Sequence, residues 1–379
     1  MKAIINGRIV TPHEILTNKV LVFNEGKIIE ISDTVPASAE IIDAKNKVVA
    51  PGFIDVHIHG SMGHDVMDGT KTAISAISAG IAAYGTTSFL PTTMTMSKAD
   101  IYRSLETIRL LQKENLNGAQ VLGAHLEGPF INPKYKGAQN EAFVVSPDVA
   151  WVTDFSDVIK LITYAPEMDD QLTFTKKVKA ETDVTLSIGH SNATYDEAIQ
   201  AIDHGCSHVT HLFNGMPSLH HRDPGIVGAA LITDVFTELI ADKVHVTKHL
   251  FQFVFDNKKA ERVVLITDSM RAGCMKDGSY DLGGQTAHVC EGVVRLEDGT
   301  LAGSVLTLNQ AVRHFYEETN ATLPEAIRGA TLNPATSIKV SDRKGSLEVG
   351  KDADIILLDD DFTCHLTLVG GTVVHNKMT

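Results

Sequence analysis

From about residue 53 to residue 267 the chain alternates short apolar runs with segments of helical period, and this limits the fold more than any other feature. Runs of strand length lie near Phe53–His57, Thr86–Leu90, Val121–Leu126, Lys160–Ala165, Val184–Ile188, His208–Leu212, Glu238–Ala241 and Val263–Thr267. Helical patterns such as KTAISAISAGIAAYG, ADIYRSLETIRLLQKEN and YDEAIQAIDHG separate them. A strand followed by a helix and then another strand returns in parallel. Eight such units therefore predict a closed (β/α)8 barrel of the TIM type. Two further helical stretches, LNQAVRHFYEET and PEAIRGAT, lead out of it.

The ends read differently. The first fifty residues hold short β-type runs, AIINGRIV, VLVFNEGKIIEIS and IIDAKNKVVA, broken by Asn-Gly, Glu-Gly and Lys-Asn turns. The tail, GSLEVGKDADIILLDDDFTCHLTLVGGTVVH, repeats that style. Neither end has enough apolar surface for a core of its own, so the two are expected to pair into one small β-sandwich. Residues 1–51 and 344–379 are assigned to that unit and 52–343 to the barrel.

The length of 379 residues accommodates both units. Net charge is 33 − 47 = −14 with histidines neutral, which argues against nucleic acid or an anionic membrane surface as the main partner. No apolar run approaches the length of a membrane span. The start, MKAIINGRIVTP, lacks the basic start and long apolar core of a signal peptide. Cys206, Cys274, Cys290 and Cys364 form no CxxC pair and read as free thiols of a reducing compartment. A cytoplasmic location without nucleic-acid or membrane partners is expected.

PGFIDVHIHG carries the strongest chemical signal. Successive side chains of a strand point to opposite faces, so Asp55, His57 and His59 share one face. In a barrel strand that face is the interior, and active sites lie at its C-terminal end. Two imidazoles placed so suit a metal. The other reading, polar residues in a turn, is disfavoured by the apolar strand before them and by Pro51–Gly52 and Gly60 around them. Glu127, His190, His211 and Asp268 also stand at strand ends. Alone, each is weak: a single histidine is more often packed or exposed, and Glu127 could neighbour a helix cap. Together they set four histidines and two carboxylates on one rim, where metal ions would offset their desolvation. Imidazole and carboxylate without thiolate suit Zn²⁺, Fe²⁺, Mn²⁺ or Co²⁺. His125 is expected to support the site or pack in the core. His208 is expected to point outward toward the helices, and His204, His249 and His314 to lie on helical segments apart from the site.

These residues resemble the amidohydrolase superfamily, from the strand-rich start to GSLEVGKDADIILLD. HLEGPFINPKYKGAQN, SIGHSNATYDEA, THLFNGMPSLHHRDPGIVGAAL, ADKVHV, ITDSMRAG and LAGS are similar to stretches of the N-acetylglucosamine-6-phosphate deacetylases. The resemblance implies a homodimer that releases acetate from an N-acetylated sugar phosphate. It implies one metal held by Glu127, His190 and His211, and a second at His57 and His59 with Glu127 able to bridge: one or two divalent ions, Zn, Fe, Mn or Co, per subunit. Asp268 would be the acid/base and a further ligand. Ala138, Gln139, Asn214, Gly215, Arg222, His245, Leu301, Ala302 and Gly303 would line the sugar-phosphate pocket, with Arg222 on the 6-phosphate, within its own subunit or across the dimer.

Three positions depart from the family's pattern. Gly215 stands where alanine is common, a change expected to matter little. Gln139 stands where some members place a histidine that polarises the amide carbonyl, which shifts that task to metal and Gln139. Lys243 replaces a usual glycine, which puts an extra cation or an altered loop beside the substrate. The competing readings are another amidohydrolase, such as a dihydroorotase, allantoinase or D-aminoacylase, and a silent scaffold. HLEGPF with THLFN and HHR, and Glu127 in place of a bridging lysine, oppose the first. The presence of all six ligand candidates opposes the second.

Overall fold

A computed structural model of the chain describes residues 1–378. Eight parallel strands build its centre: β1 (Phe53–Ile58), β2 (Thr86–Thr93), β3 (Ala124–Glu127), β4 (Ile159–Tyr164), β5 (Thr185–Ile188), β6 (Cys206–Val209), β7 (Phe236–Ile240) and β8 (Val263–Ile266). Each pairs in parallel with the next. The barrel closes between β8 and β1 through a short seam rather than a full ladder. Ile58 and Ser269 form a parallel bridge, Asp268 N donates to His57 O at 2.9 Å, and His59 N donates to Ser269 O at 2.8 Å. Asp55, inside this seam, accepts from Thr267 Oγ1 at 2.6 Å.

The expected strands are all present, with two differences. The run at Val121–Leu126 is split: Gln120–Val121 pairs with β2, and the chain turns at Gly123 before β3 begins. Gly123 has φ +155°, and a Cβ there would meet Val158 O at 2.5 Å, so only glycine lets the two strands approach. The run at His208–Leu212 leaves the ladder after Val209, which puts His211 in the loop beyond β6.

The helices start where the sequence places capping groups. α1 (Lys71–Ala82) opens on Thr70, whose hydroxyl accepts from Ala73 N, and it buries Ile74, Ile77 and Ile81 at helical spacing. α2 (Lys98–Leu111) opens on Ser97 and buries Ile101, Leu105 and Ile108. α3 (Tyr195–Asp203) opens on a capping box between Thr194 and Glu197, which fixes the end of the loop carrying His190.

Both chain ends build the β-sandwich. A four-stranded sheet orders Lys27–Ser32, Val20–Asn24, Lys2–Ile5 and Glu40–Asp43. A six-stranded sheet runs from Thr372–Asn376 through Cys364–Val369, Ile355–Leu358, Val48–Pro51 and Arg8–Val10 to Ile15–Leu16. Its central strands are apolar throughout because both faces are covered. Val49, Ile355 and Leu357 pack into the sandwich with Phe23 and Leu21, while Val48, Ala50, Ile356 and Leu358 join the barrel's core. A third sheet was not foreseen: Gly278–Leu282, Gln285–Cys290 and Val293–Leu296 form an antiparallel meander after β8. Among the described residues no helix is long and apolar enough to cross a membrane.

Lys344 anchors the sandwich where it meets β1. Its ammonium is buried, 2.5 Å from Asp354 Oδ2 and 3.1 Å from Asp352 Oδ2, and Asp354 O accepts from Gly52 N at 3.0 Å. Removing one partner of a buried pair strands the other. Lys344→Ala should therefore destabilise the protein by about 3–5 kcal/mol, read as a fall in the urea midpoint. Lys339→Ala, which removes an exposed pair with Asp183, should change it by about 1 kcal/mol or less.

Candidate metal centre

Six side chains converge at the C-terminal mouth of the barrel. Glu127 is at their centre: its Oε1 lies 3.1 Å from His190 Nε2, 3.2 Å from His211 Nε2 and 3.3 Å from His57 Nε2, and its Oε2 lies 3.2 Å from His59 Nε2. Asp268 Oδ1 completes the cluster at 3.3 Å from His59 Nε2 and 3.5 Å from His57 Nε2. Asp55 shares the face of the two β1 histidines but is deeper, in the barrel's seam.

The other nitrogen of each ring shows which atoms are offered to the centre. His59 Nδ1 faces Thr92 O at 3.2 Å, His190 Nδ1 faces Tyr135 O at 2.8 Å and His211 Nδ1 faces Asn214 O at 3.0 Å. A carbonyl only accepts, so these Nδ1 atoms carry the protons. His57 Nδ1 meets the carboxylate of Glu238 at 3.0 Å, with the same consequence. Four Nε2 lone pairs are thereby directed inward, and His190 and His211 bring theirs within 3.1 Å of each other. Such a contact is repulsive unless a cation stands between the nitrogens. Glu127, His190 and His211 form one three-ligand group, and His57, His59 and Glu127 another, all buried. The donors are imidazole nitrogen and carboxylate oxygen, and they fit one or two divalent ions, with Glu127 common to both groups.

The electrostatics agree with that fit. Burial alone would discharge His57, but Glu127, Glu238 and Asp268 outweigh it and hold the ring well above its usual range. Burial is likewise outweighed at His59, where hydrogen bonds to Asp268 and Glu127 push the value up to about 10. Glu127 is driven the other way: burial opposes its ionisation, yet His57 and His190 hold it well below the ordinary carboxylate range. The centre is a set of ionised carboxylates that requires positive charge, whether from protons on the rings or from a metal in their place.

A cavity of about 230 Å³ opens above these ligands. His59, Glu127, His190, His211 and Asp268 form its floor; Ala138, Gln139, Asn214, Gly215, His245, Leu301 and Gly303 stand in its walls. The unforeseen meander supplies Leu282 to the wall and ties itself to the opposite side through Gln285 Nε2 and Ala138 O at 2.7 Å. Ala302 is buried behind the wall. Arg222 is outside it: His220 and Asp223 bridge to form a tight turn, and Arg222 is exposed at the tip, 2.7 Å from His221 Nε2.

The three unusual positions have distinct settings. Gln139 accepts from Thr95 N at 2.7 Å and donates to Glu127 Oε2 at 2.6 Å, so its amide is tied to the ligand carboxylate. Gly215 has φ +61°, and a Cβ there would lie 2.9 Å from His190 Nδ1. Lys243 takes the left-handed backbone of a glycine, with φ +69°, and its ammonium pairs with Glu318 at 2.9 Å rather than entering the cavity. Asn214 turns its amide back on the carbonyls of His211 and Leu212. His245 is held by Asp242 at 2.6 Å; burial disfavours its charge, but this contact outweighs burial and raises its pKa.

The remaining histidines sort as follows. His125 supports β1, bonding to Val56 O at 3.1 Å and Thr163 Oγ1 at 2.7 Å. His204 is exposed, and His314 bonds to Ala241 O at 2.8 Å. His208 contradicts its expectation. It is fully buried, 3.1 Å from Glu238 Oε1 and 2.5 Å from Ser337 Oγ, because Glu238 draws it in. Glu238 itself escaped the sequence reading. A carboxylate inside an apolar strand was the available signal.

The chain is similar to known proteins over most of its length. The model of the Amidohydrolase family matches residues 48–374. The N-acetylglucosamine-6-phosphate deacetylase of Bacillus subtilis (strain 168) is 39% identical over 376 residues, covering 96% of this chain and 95% of its own. Among solved structures, the N-acetylglucosamine-6-phosphate deacetylase from Pasteurella multocida superposes with a TM-score of 0.93 at 32% identity, covering 99% of this chain and 100% of that one. A mutant of the Mycobacterium smegmatis N-acetyl-D-glucosamine-6-phosphate deacetylase, solved in complex with N-acetyl-D-glucosamine-6-phosphate, gives 0.92 at 29% identity over 99% of each chain.

If Glu127 is the common ligand, Glu127→Ala should lose bound metal almost entirely, and His190→Ala or His211→Ala should lose the ion these two share. His57→Ala should lose only the ion it shares with His59. Elemental analysis after gel filtration checks this; full metal content in Glu127→Ala would mean that other groups hold the ions.

Proposed function

The chain belongs to the amidohydrolase family, and from that premise we infer that it hydrolyses the N-acetyl group of N-acetyl-D-glucosamine 6-phosphate to D-glucosamine 6-phosphate and acetate. The observation that carries this reading is the cluster of Glu127, His190, His211, His57 and His59 beside a further carboxylate, Asp268, on the floor of a sugar-sized cavity. Zn, Fe, Mn and Co all suit its donors. Every residue of the cavity falls between His59 and Gly303, so the proposed division gives all the chemistry to residues 52–343 and leaves 1–51 with 344–379 as support. The four unpaired cysteines support a reducing, cytoplasmic setting.

An amide is a poor electrophile and water a poor nucleophile. Glu127, His190, His211, His57 and His59 would hold a divalent ion, which when bound would supply Lewis acidity and bring the pKa of an attacking water toward about 7. The chain's own part is to hold and move protons. Asp268 Oδ1 sits between the β1 histidines and the cavity, and its pKa is lowered: burial opposes ionisation, but His57 and His59 outweigh it. It is thus ready to accept the proton of the attacking water. The same carboxyl then hands that proton to the sugar nitrogen, because an amide anion cannot leave. At His245 burial disfavours the charge but the contact with Asp242 outweighs it and raises the pKa, and the ring is placed to donate to the oxyanion or to the sugar.

The phosphate calls for a permanent cation. Among the described residues the cavity's lining has histidines but neither lysine nor arginine. Arg222 stands exposed at the tip of its turn, with Leu219 exposed beside it and Val244 and Leu250 exposed on the loop after β7. A second copy docked on this face would cover the apolar side chains and carry Arg222 into its partner's cavity, where a guanidinium matches phosphate oxygens bidentately. We assign the enzyme as a homodimer on that basis.

Two outcomes test the reading. Asp268→Asn should keep substrate binding while kcat falls by about 10²- to 10⁴-fold, as measured by acetate release and by calorimetric titration. A variant that bound neither metal nor substrate would make Asp268 structural. Arg222→Ala should lose about 1.5–3 kcal/mol of kcat/KM, roughly 10- to 150-fold, toward the phosphorylated sugar and almost none toward N-acetylglucosamine. If Arg222 acts across the dimer, mixing the two variants under subunit exchange should restore activity, because a mixed dimer regains one complete site. An equal loss for both sugars would leave Arg222 a structural role.

A further inference from the structure

Glu238 takes no part in the chemistry above, yet it lies against the metal centre. It is the third residue of β7, fully buried in a largely apolar strand, on the Nδ1 side of His57. Its two oxygens hold three donors. Oε2 accepts from His57 Nδ1 at 3.0 Å and from the backbone N–H of His211 at 3.0 Å. Oε1 accepts from His208 Nε2 at 3.1 Å. His208 then accepts from Ser337 Oγ at 2.5 Å through Nδ1, and Ser337 O accepts from Thr185 Oγ1 at 2.7 Å, which ties the chain of contacts to β5. His57, His125 and Glu238 also come within ligand distance of one another. They do not form a third ion site, because both ring nitrogens of His125 are engaged by Val56 O and Thr163 Oγ1.

We propose that Glu238 is a positioning residue that couples the two halves of the metal centre. On one side it fixes the ring plane and tautomer of His57, so that Nε2 points at the ion shared with His59, and its charge makes that nitrogen a stronger donor. On the other side the same oxygen pins the backbone N–H of His211, whose φ of +28° aims the ring at Glu127 and His190. One carboxylate thereby sets ligands of both ions. The inference rests on the divalent-metal reading of the site.

Glu238→Gln separates charge from shape. The glutamine oxygen can accept from both His57 Nδ1 and His211 N. Its amide can donate to His208 Nε2 once that ring moves its proton to Nδ1, where Ser337 Oγ accepts it. The contacts survive and only the charge leaves, whereas Glu238→Ala removes both.

The test titrates metal-free protein with Zn²⁺ or Co²⁺ against a competing chelator, with circular dichroism to confirm folding. Glu238→Gln should keep the Glu127–His190–His211 ion at wild-type affinity and bind the His57–His59 ion about 10- to 100-fold more weakly. Glu238→Ala should weaken both. Wild-type affinity for both ions in Glu238→Gln overturns the proposal, and so does an equal loss from both halves in that variant. An unmutated chain that binds no divalent ion overturns the metal reading itself, and the proposal with it. If Glu238→Gln does not fold, ¹⁵N-histidine NMR of the wild-type protein decides. The proposal requires a His57 Nδ1 proton that is shifted downfield and protected from exchange; the lack of such a proton overturns it.

Discussion

Three carboxylates and four imidazoles share one buried pocket, and none could be there alone. Glu127, Glu238, His57, His59, His190, His211 and Asp268 are each 8% exposed or less. An isolated ionised group so placed loses several kcal/mol of hydration, more than packing around it returns. Here every charge is another's counter-charge, and the centre forms as a unit. The elements that deliver these residues are fixed accordingly. β1, β3 and β7 bring His57, Glu127 and Glu238; the loops after β5, β6 and β8 bring His190, His211 and Asp268.

Those loops carry strain at the positions that matter. His190, His211 and Asp268 have φ of +47°, +28° and +48°. Each such turn costs a non-glycine residue about 1–3 kcal/mol and persists only where its surroundings overdetermine it. The surroundings are visible: His190 O accepts from Asn132 N, His211 N is held by Glu238, and Asp268 is gripped on both sides by His57 O and Ser304 N. The turn lets each side chain leave the end of a strand and point over the mouth rather than along the wall. The cavity is thus assembled by backbone geometry that the local sequence does not favour on its own.

Much of this was legible because it follows short periods. Asp55, His57 and His59 declared a shared face through the alternation of a strand, and the eight βα units declared the barrel. What escaped reading depended on distance along the chain. Glu238 makes sense only beside His57 and His208, and His208 was misjudged because strand parity takes no account of a carboxylate on the neighbouring strand. The meander over the mouth was missed for a different reason. Its turns have clear signals, Gly283–Gly284 and Glu291–Gly292, all at positive φ, but they lie between the last expected strand and the helical stretch LNQAVRHFYEET, a span to which the reading assigned no element. Arg222 was expected to line the pocket and stands outside it, because the use of an exposed residue depends on what docks against it.

The six-stranded sheet has a consequence for synthesis. Val48–Pro51 leaves a ribosome long before Ile355–Leu358, and its apolar faces expect neighbours on both sides. One edge is soon paired by Arg8–Val10, but the other waits for Ile355–Leu358. Throughout elongation of the barrel, the nascent chain therefore displays an open, hydrophobic edge that nothing yet made can cover. Such an edge is a template for intermolecular pairing. Ile355–Leu358 is thus the strand that makes Val48–Pro51 safe, and a chain cut off before it would carry all eight barrel strands and an adhesive flank.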